Sequence, residues 1–178
     1  MSRLTIPVTS KDHVEGSAKA ALTLVEYGDY QCPLCRMTGP IIKKMRLELG
    51  ECMRFVFRHF PLKLVHPYAQ MAAEVVEAAA LQNQFWEMHY LLYNQKLVLH
   101  PDLFLELAAS LSLNLAQFQA DRQSAAVLGK IQEDFQGGVR SGVNGTPCFY
   151  INEERYDGDL SYVPFTQVLR TFSQSSIG

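Results

Sequence analysis

The 178-residue chain is 48% apolar and 19% charged, a globular balance rather than a disordered one, and it is long enough for one domain with a sizeable core. With 16 Lys and Arg against 18 Asp and Glu the formal charge is −2, which gives no basic footprint for nucleic acid or an anionic membrane. A membrane span needs roughly 18 consecutive apolar residues, and the densest apolar stretch, 69–81, is broken by Gln70, Glu74 and Glu77, so no membrane insertion is expected.

The first twenty residues read as an extended, mostly polar arm without the apolar run of a secretory signal. A cytoplasmic protein is expected, or a periplasmic or secreted one whose signal has been removed. Residues 21–27 are rich in strand formers and end at the turn signal Gly28-Asp29, which predicts a buried strand. After Pro33, the spacing of Ile41, Ile42, Met45 and Leu49 predicts a helix stopped by Gly50. Residues 53–60 predict a second strand ended by Pro61, and strand, helix, strand in about forty residues make a βαβ unit with parallel pairing.

From His66 to Gly142 the pattern is helical. His66-Pro67 marks a helix start. Tyr68, Ala72, Val75 and Ala79 share a face, as do Phe85, Met88 and Leu92, and then Leu103, Leu107, Ala108 and Leu111. Asn114 and Gln117 resemble a capping box opening a short helix, and a last stripe runs through Leu128, Ile131 and Phe135. Strand-like sequence returns at 148–151. A turn at 152–154 leads into 155–158, a hairpin. Phe165, Val168, Leu169 and Phe172 then predict a final amphipathic helix, with Ser161 as its N-cap and Pro164 in its first turn.

Cys32-Pro33-Leu34-Cys35 falls at a strand-to-helix junction. The unpaired N–H groups and positive dipole end of a helix N-terminus favour an anion, so a thiolate at Cys32 is stabilised there. Cys35 lies one turn further in, within disulfide reach. This makes Cys32 an exposed nucleophile and Cys35 a buried resolving thiol, with Pro33 pre-set for the first helical position. The alternatives are two incidental neighbours in a helix, or half of a zinc site. Zinc needs four ligands, whereas Cys52 and Cys148 are single and far apart, and no His pair at ligand spacing follows.

The order βαβ, helical block, ββα, with this cysteine pair after the first strand and Gly145-Thr146-Pro147 before the hairpin, resembles the DsbA-like branch of thioredoxin-fold disulfide oxidoreductases. The resemblance covers residues 20 to 174. It implies an α/β thioredoxin-like fold with an inserted helical domain: 1–65 as the arm and first part of the core, 66–142 as the insert, 143–178 as the second part. It also implies a cis Thr146–Pro147 bond facing the cysteines, with Thr146 offering its backbone to an extended peptide. Absent the family, Gly145-Thr146-Pro147 is an ordinary turn. Pro33, Leu34, Thr146 and Pro147 are thus expected to contact substrate. Glu26, six residues before Cys32, matches the buried acidic residue of the family. Desolvation should raise its pKa and let it take the proton of Cys35, the alternative being a surface or edge glutamate.

One departure is Leu34, where the best-known oxidising members carry a histidine. Leucine gives the thiolate neither charge nor hydrogen bond, which implies a weaker oxidant, and Arg36 is either a partial compensation or a solvent-facing solubility residue. Cys148 lies next to Pro147 and is either a second redox thiol or a small core hydrophobe. Cys52 reads as structural. His13, His59, His66, His89 and His100 read as surface or locally satisfied imidazoles, and Phe85, Trp86, Tyr90 and Tyr93 either line a substrate groove or belong to the core. The expected function is thiol–disulfide exchange with protein or peptide substrates, as oxidase, reductase or isomerase. The Cys32–Cys35 disulfide would serve in place of a cofactor, and a redox partner would reset the pair. The alternative is a non-catalytic module of the same fold that binds a metal through the same cysteines.

Overall fold

A computed structural model describes residues 2–94 and 98–174 of the chain. The strand predicted at 21–27 forms β2 (Leu22–Gly28), in which every residue but Thr23 is buried. A strand buried on both faces has little use for polar alternation, which explains its near-continuous apolar run. Leu22 and Leu24 pack with Ile42 and Met45 on one face, whereas Val25 and Tyr27 pack with Val56, Phe60 and Tyr150 on the other.

Parallel to β2 runs β3 (Met53–His59), in register from Leu22 opposite Met53 to Gly28 opposite His59. Between them lies α1 (Pro33–Leu49), which is followed by a 3-10 turn at Gly50–Cys52. This is the expected βαβ unit. On the other side of β2, β4 (Cys148–Ile151) pairs antiparallel and is joined by β5 (Glu154–Tyr156) through a turn in which Asn152 and Glu153 take positive φ. The final helix, α7 (Tyr162–Gln174), buries Phe165 and Leu169 as its spacing predicts.

Among the described residues, five helices separate β3 from β4: α2 (Ala69–Ala80), α3 (Phe85–Asn94), α4 (Pro101–Ser110), α5 (Leu115–Asp121) and α6 (Ala125–Ser141). Asn114 caps α5 by accepting from the Gln117 N–H at 3.0 Å, but the Gln117 side chain turns to Asp121, so the capping box is only half made. Gly142, at φ +86, closes α6 in the left-handed conformation that glycine adopts without strain. Leu24 and Phe55 of the sheet share one apolar cluster with Ala72, Leu92, Phe104 and Phe118 of these helices, so sheet and helical stretch have a common core.

The N-terminal arm is more ordered than its sequence indicates. Residues His13–Glu15 form a fifth strand, β1, antiparallel to β3, giving the sheet order β1-β3-β2-β4-β5. Three residues of mixed polarity carry no readable strand signal, and what holds them is tertiary. The Arg58 guanidinium on β3 donates to Asp12 at 2.7 and 3.1 Å, to the Ile6 and Pro7 carbonyls, and to the Tyr27 hydroxyl. Both partners of this ion pair are almost wholly buried. Asp12→Ala strands a buried guanidinium and is expected to cost about 3 kcal/mol of unfolding free energy. A urea midpoint unchanged from wild type would show that the pair does not hold the arm.

Candidate active site

Cys32 is the N-cap of α1, with extended backbone angles and Pro33 in the first helical position, where a missing N–H costs nothing. The loop before it is tied by Asp29, which is buried. One carboxylate oxygen of Asp29 accepts from the Gln31 N–H at 2.8 Å; the other accepts from the Leu62 N–H at 2.9 Å and pairs with His66 Nδ1 at 2.8 Å. The Asp29 carbonyl accepts from the Cys32 N–H, and its N–H points at Cys35 Sγ, 3.5 Å away. Asp29 thus ties the loop through its side chain and meets both cysteines through its backbone.

The two thiols are free and differ in environment. Cys35 is completely buried, as expected. Cys32, expected to be exposed, is only 5% exposed: the loop before β4 lies over it, and its Sγ is 3.2 Å from the Thr146 carbonyl oxygen, a contact that only the thiol form can make as a hydrogen bond. The Thr146–Pro147 bond is cis, and both residues are half-buried beside the thiol. Hydrogen bonding to the thiolate pulls Cys32 down from its ordinary value of 9.0 to about 5, first from the Cys35 thiol, then from the Thr146 side chain and the N–H groups of Cys35 and Leu34, against the opposing effect of burial. Cys35 moves the other way, raised well above the ordinary thiol value by burial, by donating to Cys32, and by the charge of Glu26.

Glu26 is fully buried on β2, on the face that carries α1, which removes the alternative of a surface or edge glutamate. Desolvation lifts its carboxyl to about 8, partly opposed by a hydrogen bond from Tyr93 and reinforced by the charge of Cys32. Oε1 accepts from the Tyr93 hydroxyl at 3.2 Å, while Oε2 has no partner among the described residues. Of the remaining predicted residues, Pro33 and Leu34 are exposed at the head of α1, Leu34 by 51%, with Met37 one turn on exposed by 45%.

Cys148 is brought no closer to this chemistry. Its side chain packs with Val25, Tyr27 and Tyr150 on the sheet face opposite Glu26, and burial raises its thiol. Cys52 is exposed at the far end of α1. Each histidine has a local partner for one ring nitrogen: His13 and His59 both reach Glu77 at 2.7 Å, His89 meets the Tyr30 hydroxyl at 2.8 Å, His66 meets Asp29, and His100 caps α4, but the buried Nδ1 of His59 has no partner among the described residues, so His59 is only half satisfied. Phe85 and Tyr93 are buried in the core. Sequence reasoning missed Asp29 as part of the site, and it offered Tyr93 only as a groove or core residue, not as a partner of Glu26. The Gly28-Asp29 turn signal pointed to the first, since Asp commonly caps its own turn. Tyr93 stands out in the sequence as an aromatic at helical spacing, but nothing local ties it to Glu26. Among the described residues no group of three or more His, Cys, Asp or Glu side chains is placed to hold a metal ion, and no helix is long and apolar enough to cross a membrane.

A family model described as thioredoxin matches residues 8–170. The Na(+)/H(+) antiporter NhaA 3 of Salinispora tropica is 43% identical over 159 residues, covering 87% of this chain but 24% of that protein. The antiporter NhaA 1 of Mycolicibacterium gilvum is 37% identical over 150 residues, covering 83% of the chain and again 24% of the relative. The chain therefore spans about a quarter of the length of these curated relatives. Among solved structures, a thioredoxin-like oxidoreductase from Silicibacter pomeroyi superposes with a TM-score of 0.81 at 23% identity, covering 94% of this chain and 95% of that one. Oxidised BdbD from Bacillus subtilis gives 0.79 at 19%, covering 97% and 98%. The thiol-disulfide exchange protein alpha-DsbA2 from Wolbachia pipientis gives 0.79 at 18%, covering 93% and 87%.

Proposed function

The chain belongs to the thioredoxin family and has a DsbA-like thioredoxin fold, and from that premise we propose that it is a thiol–disulfide oxidoreductase that exchanges disulfides with protein or peptide substrates through Cys32 and Cys35. The observation that carries this reading is the split between the two thiols: an acidic one at the N-cap of α1, and a buried one three residues on held in its thiol form.

In the donating direction, a substrate thiolate attacks Cys32 Sγ of the disulfide, a mixed disulfide forms, and Cys35 leaves as a thiolate that takes a proton from Glu26. A second substrate thiolate then attacks the substrate sulfur of the mixed disulfide. The substrate disulfide closes, two electrons stay with the pair, and Cys32 departs as a stable thiolate. The reverse direction runs through the same species. Cys35 gives its proton to the Glu26 carboxylate, attacks Cys32 Sγ, closes the pair, and the reduced substrate thiolate leaves. Thr146 and Pro147 hold the substrate chain against Cys32, and Pro33 and Leu34 supply the exposed surface beside it.

A reduced form stabilised at Cys32 weights the pair toward giving its disulfide away. The donor direction is therefore the one we propose, with a separate thiol-reactive partner resetting the pair. The cysteine pair itself takes up the two electrons on passing from disulfide to dithiol, so no further cofactor is part of the reading. The antiporter activity named for the longer relatives is not assigned to this chain.

The test is catalysed reduction of insulin by dithiothreitol, with metal analysis of freshly purified protein. Turnover well above the uncatalysed rate is expected. No turnover together with stoichiometric zinc would give the cysteines to a metal-binding module instead.

A further inference from the structure

Glu26 has no charged neighbour across the sheet. Its register partners are Phe57 on β3 and Phe149 on β4. A buried carboxyl needs some polar partner, and the one it has comes from outside the sheet: the hydroxyl of Tyr93, on α3, at 3.2 Å from Oε1. Tyr93 is itself only 3% exposed.

What admits the tyrosine is a pair of glycines on two other elements. A Cβ built on Gly28 of β2 would sit 2.6 Å from the Tyr93 hydroxyl and 2.8 Å from Glu26 Oε1. A Cβ built on Gly39 of α1 would sit 2.8 Å from Tyr93 Cδ2 and 3.1 Å from its Cβ. Glycine in the interior of a helix costs roughly 1 kcal/mol against alanine, so Gly39 trades helix stability for the close approach of α3. Tyr30 and His89 close the ring in from the remaining sides, at 4.9 and 4.8 Å between centroids. The tyrosine ring is therefore held on three sides, and its hydroxyl is aimed at one carboxylate oxygen.

We propose that Tyr93 is the positioning residue of the site: seated between Gly28 and Gly39, it fixes Glu26 through Oε1 and leaves Oε2 as the atom that takes and returns the Cys35 proton. This rests on the exchange function proposed above. It also makes α3 a working part of the thiol site, because movement of α3 against α1 would release the carboxyl.

The titratable groups facing Glu26 are Tyr93 and Tyr90 on α3, Tyr30 in the loop before α1, and Cys32 and Cys35 at its head. Of these, Tyr93 alone is hydrogen-bonded to the carboxyl among the described residues. Its hydroxyl favours the ionised form, so Tyr93→Phe is expected to move the Glu26 titration upward by about one pH unit. The direct readout is the side-chain carboxyl 13C shift of Glu26, followed with pH in the reduced protein. The second readout is the pH profile of mixed-disulfide resolution by Cys35, which should shift with it and slow several-fold at neutral pH. Gly39→Ala, which crowds the ring without touching the hydroxyl, should shift both in the same direction.

An unmoved 13C titration and an unmoved resolution profile in a folded Tyr93→Phe protein would overturn the proposal. A Tyr93→Phe protein that fails to fold hands the decision to Gly39→Ala, where an unmoved titration would overturn it equally. If the wild-type protein exchanges no disulfides, the proposed function falls, and the 13C titration still decides whether Tyr93 governs Glu26.

Discussion

Cys32→Ser is expected to reduce catalysed exchange to the uncatalysed rate, whereas Cys35→Ser leaves the first attack intact and accumulates a mixed disulfide with substrate. The asymmetry follows from the environments. At neutral pH Cys32, pulled down to about 5, is almost entirely thiolate, and it sits beside the Thr146–Pro147 loop where a substrate strand would lie. Cys35, raised by burial and with no exposed surface, reaches no substrate. The same split fixes the alkylation profile of the reduced protein. Iodoacetamide should modify Cys32 with a midpoint near pH 5 and should leave Cys35 unmodified throughout the neutral range. Retained turnover in Cys32→Ser, or equal alkylation of both thiols, would contradict the assignment.

The second large effect concerns Glu26, where stability and catalysis should move in opposite directions. Its folded pKa, about 8, lies above its ordinary value of 4.5. Between those values the folded protein keeps a proton that the unfolded chain releases, so stability is fully present below about pH 4.5 and declines as pH rises toward 8. At pH 7 the accumulated cost is about 3 kcal/mol. Glu26→Gln carries no such cost, so the reduced variant should be more stable than wild type at pH 7 by about 2 to 3 kcal/mol, with the advantage vanishing near pH 4.5. It has also lost its proton acceptor, and resolution by Cys35 should slow by about a hundredfold. Urea unfolding at several pH values reads the first effect and rapid mixing with a mixed-disulfide substrate reads the second. A variant less stable than wild type at neutral pH would show that the carboxyl is not held against its own desolvation.

The main elements were legible because their signals are local. β2, α1 and β3 follow from apolar spacing closed by Gly28, Gly50 and Pro61, α7 from apolar spacing opened after Ser161, and the cysteine pair fell where a strand hands over to a helix. Glu26 was legible as a carboxylate on an interior strand. What escaped depends on distant residues meeting. β1 has three residues and no apolar pattern, and it is fixed by Arg58 reaching across to Asp12. Tyr93 is separated from Glu26 by 67 positions, and only the packing of α3 on α1 joins them. The cover over Cys32 arises in the same way, from a loop 114 residues further along the chain. Cys148 shows the converse: adjacent to Pro147 in sequence, its side chain is carried by strand alternation to the other face of the sheet.

Leu34 gives this pair a test of its own. The resemblance implied a Cys32 that stays acidic without a histidine, though less so than with one, and hydrogen bonds from Cys35, the Thr146 side chain and the helix N–H groups bring the thiol down to about 5. The measurement that bears most directly on the whole account is therefore the reduction potential of the Cys32–Cys35 pair, read by equilibration in glutathione buffers, thiol trapping and mass spectrometry. A single two-electron couple at about −200 mV or higher is expected, the range of a disulfide donor. A pair that never cycles between dithiol and disulfide would contradict the redox function, and a couple near about −270 mV would overturn the donor direction in favour of a reductase.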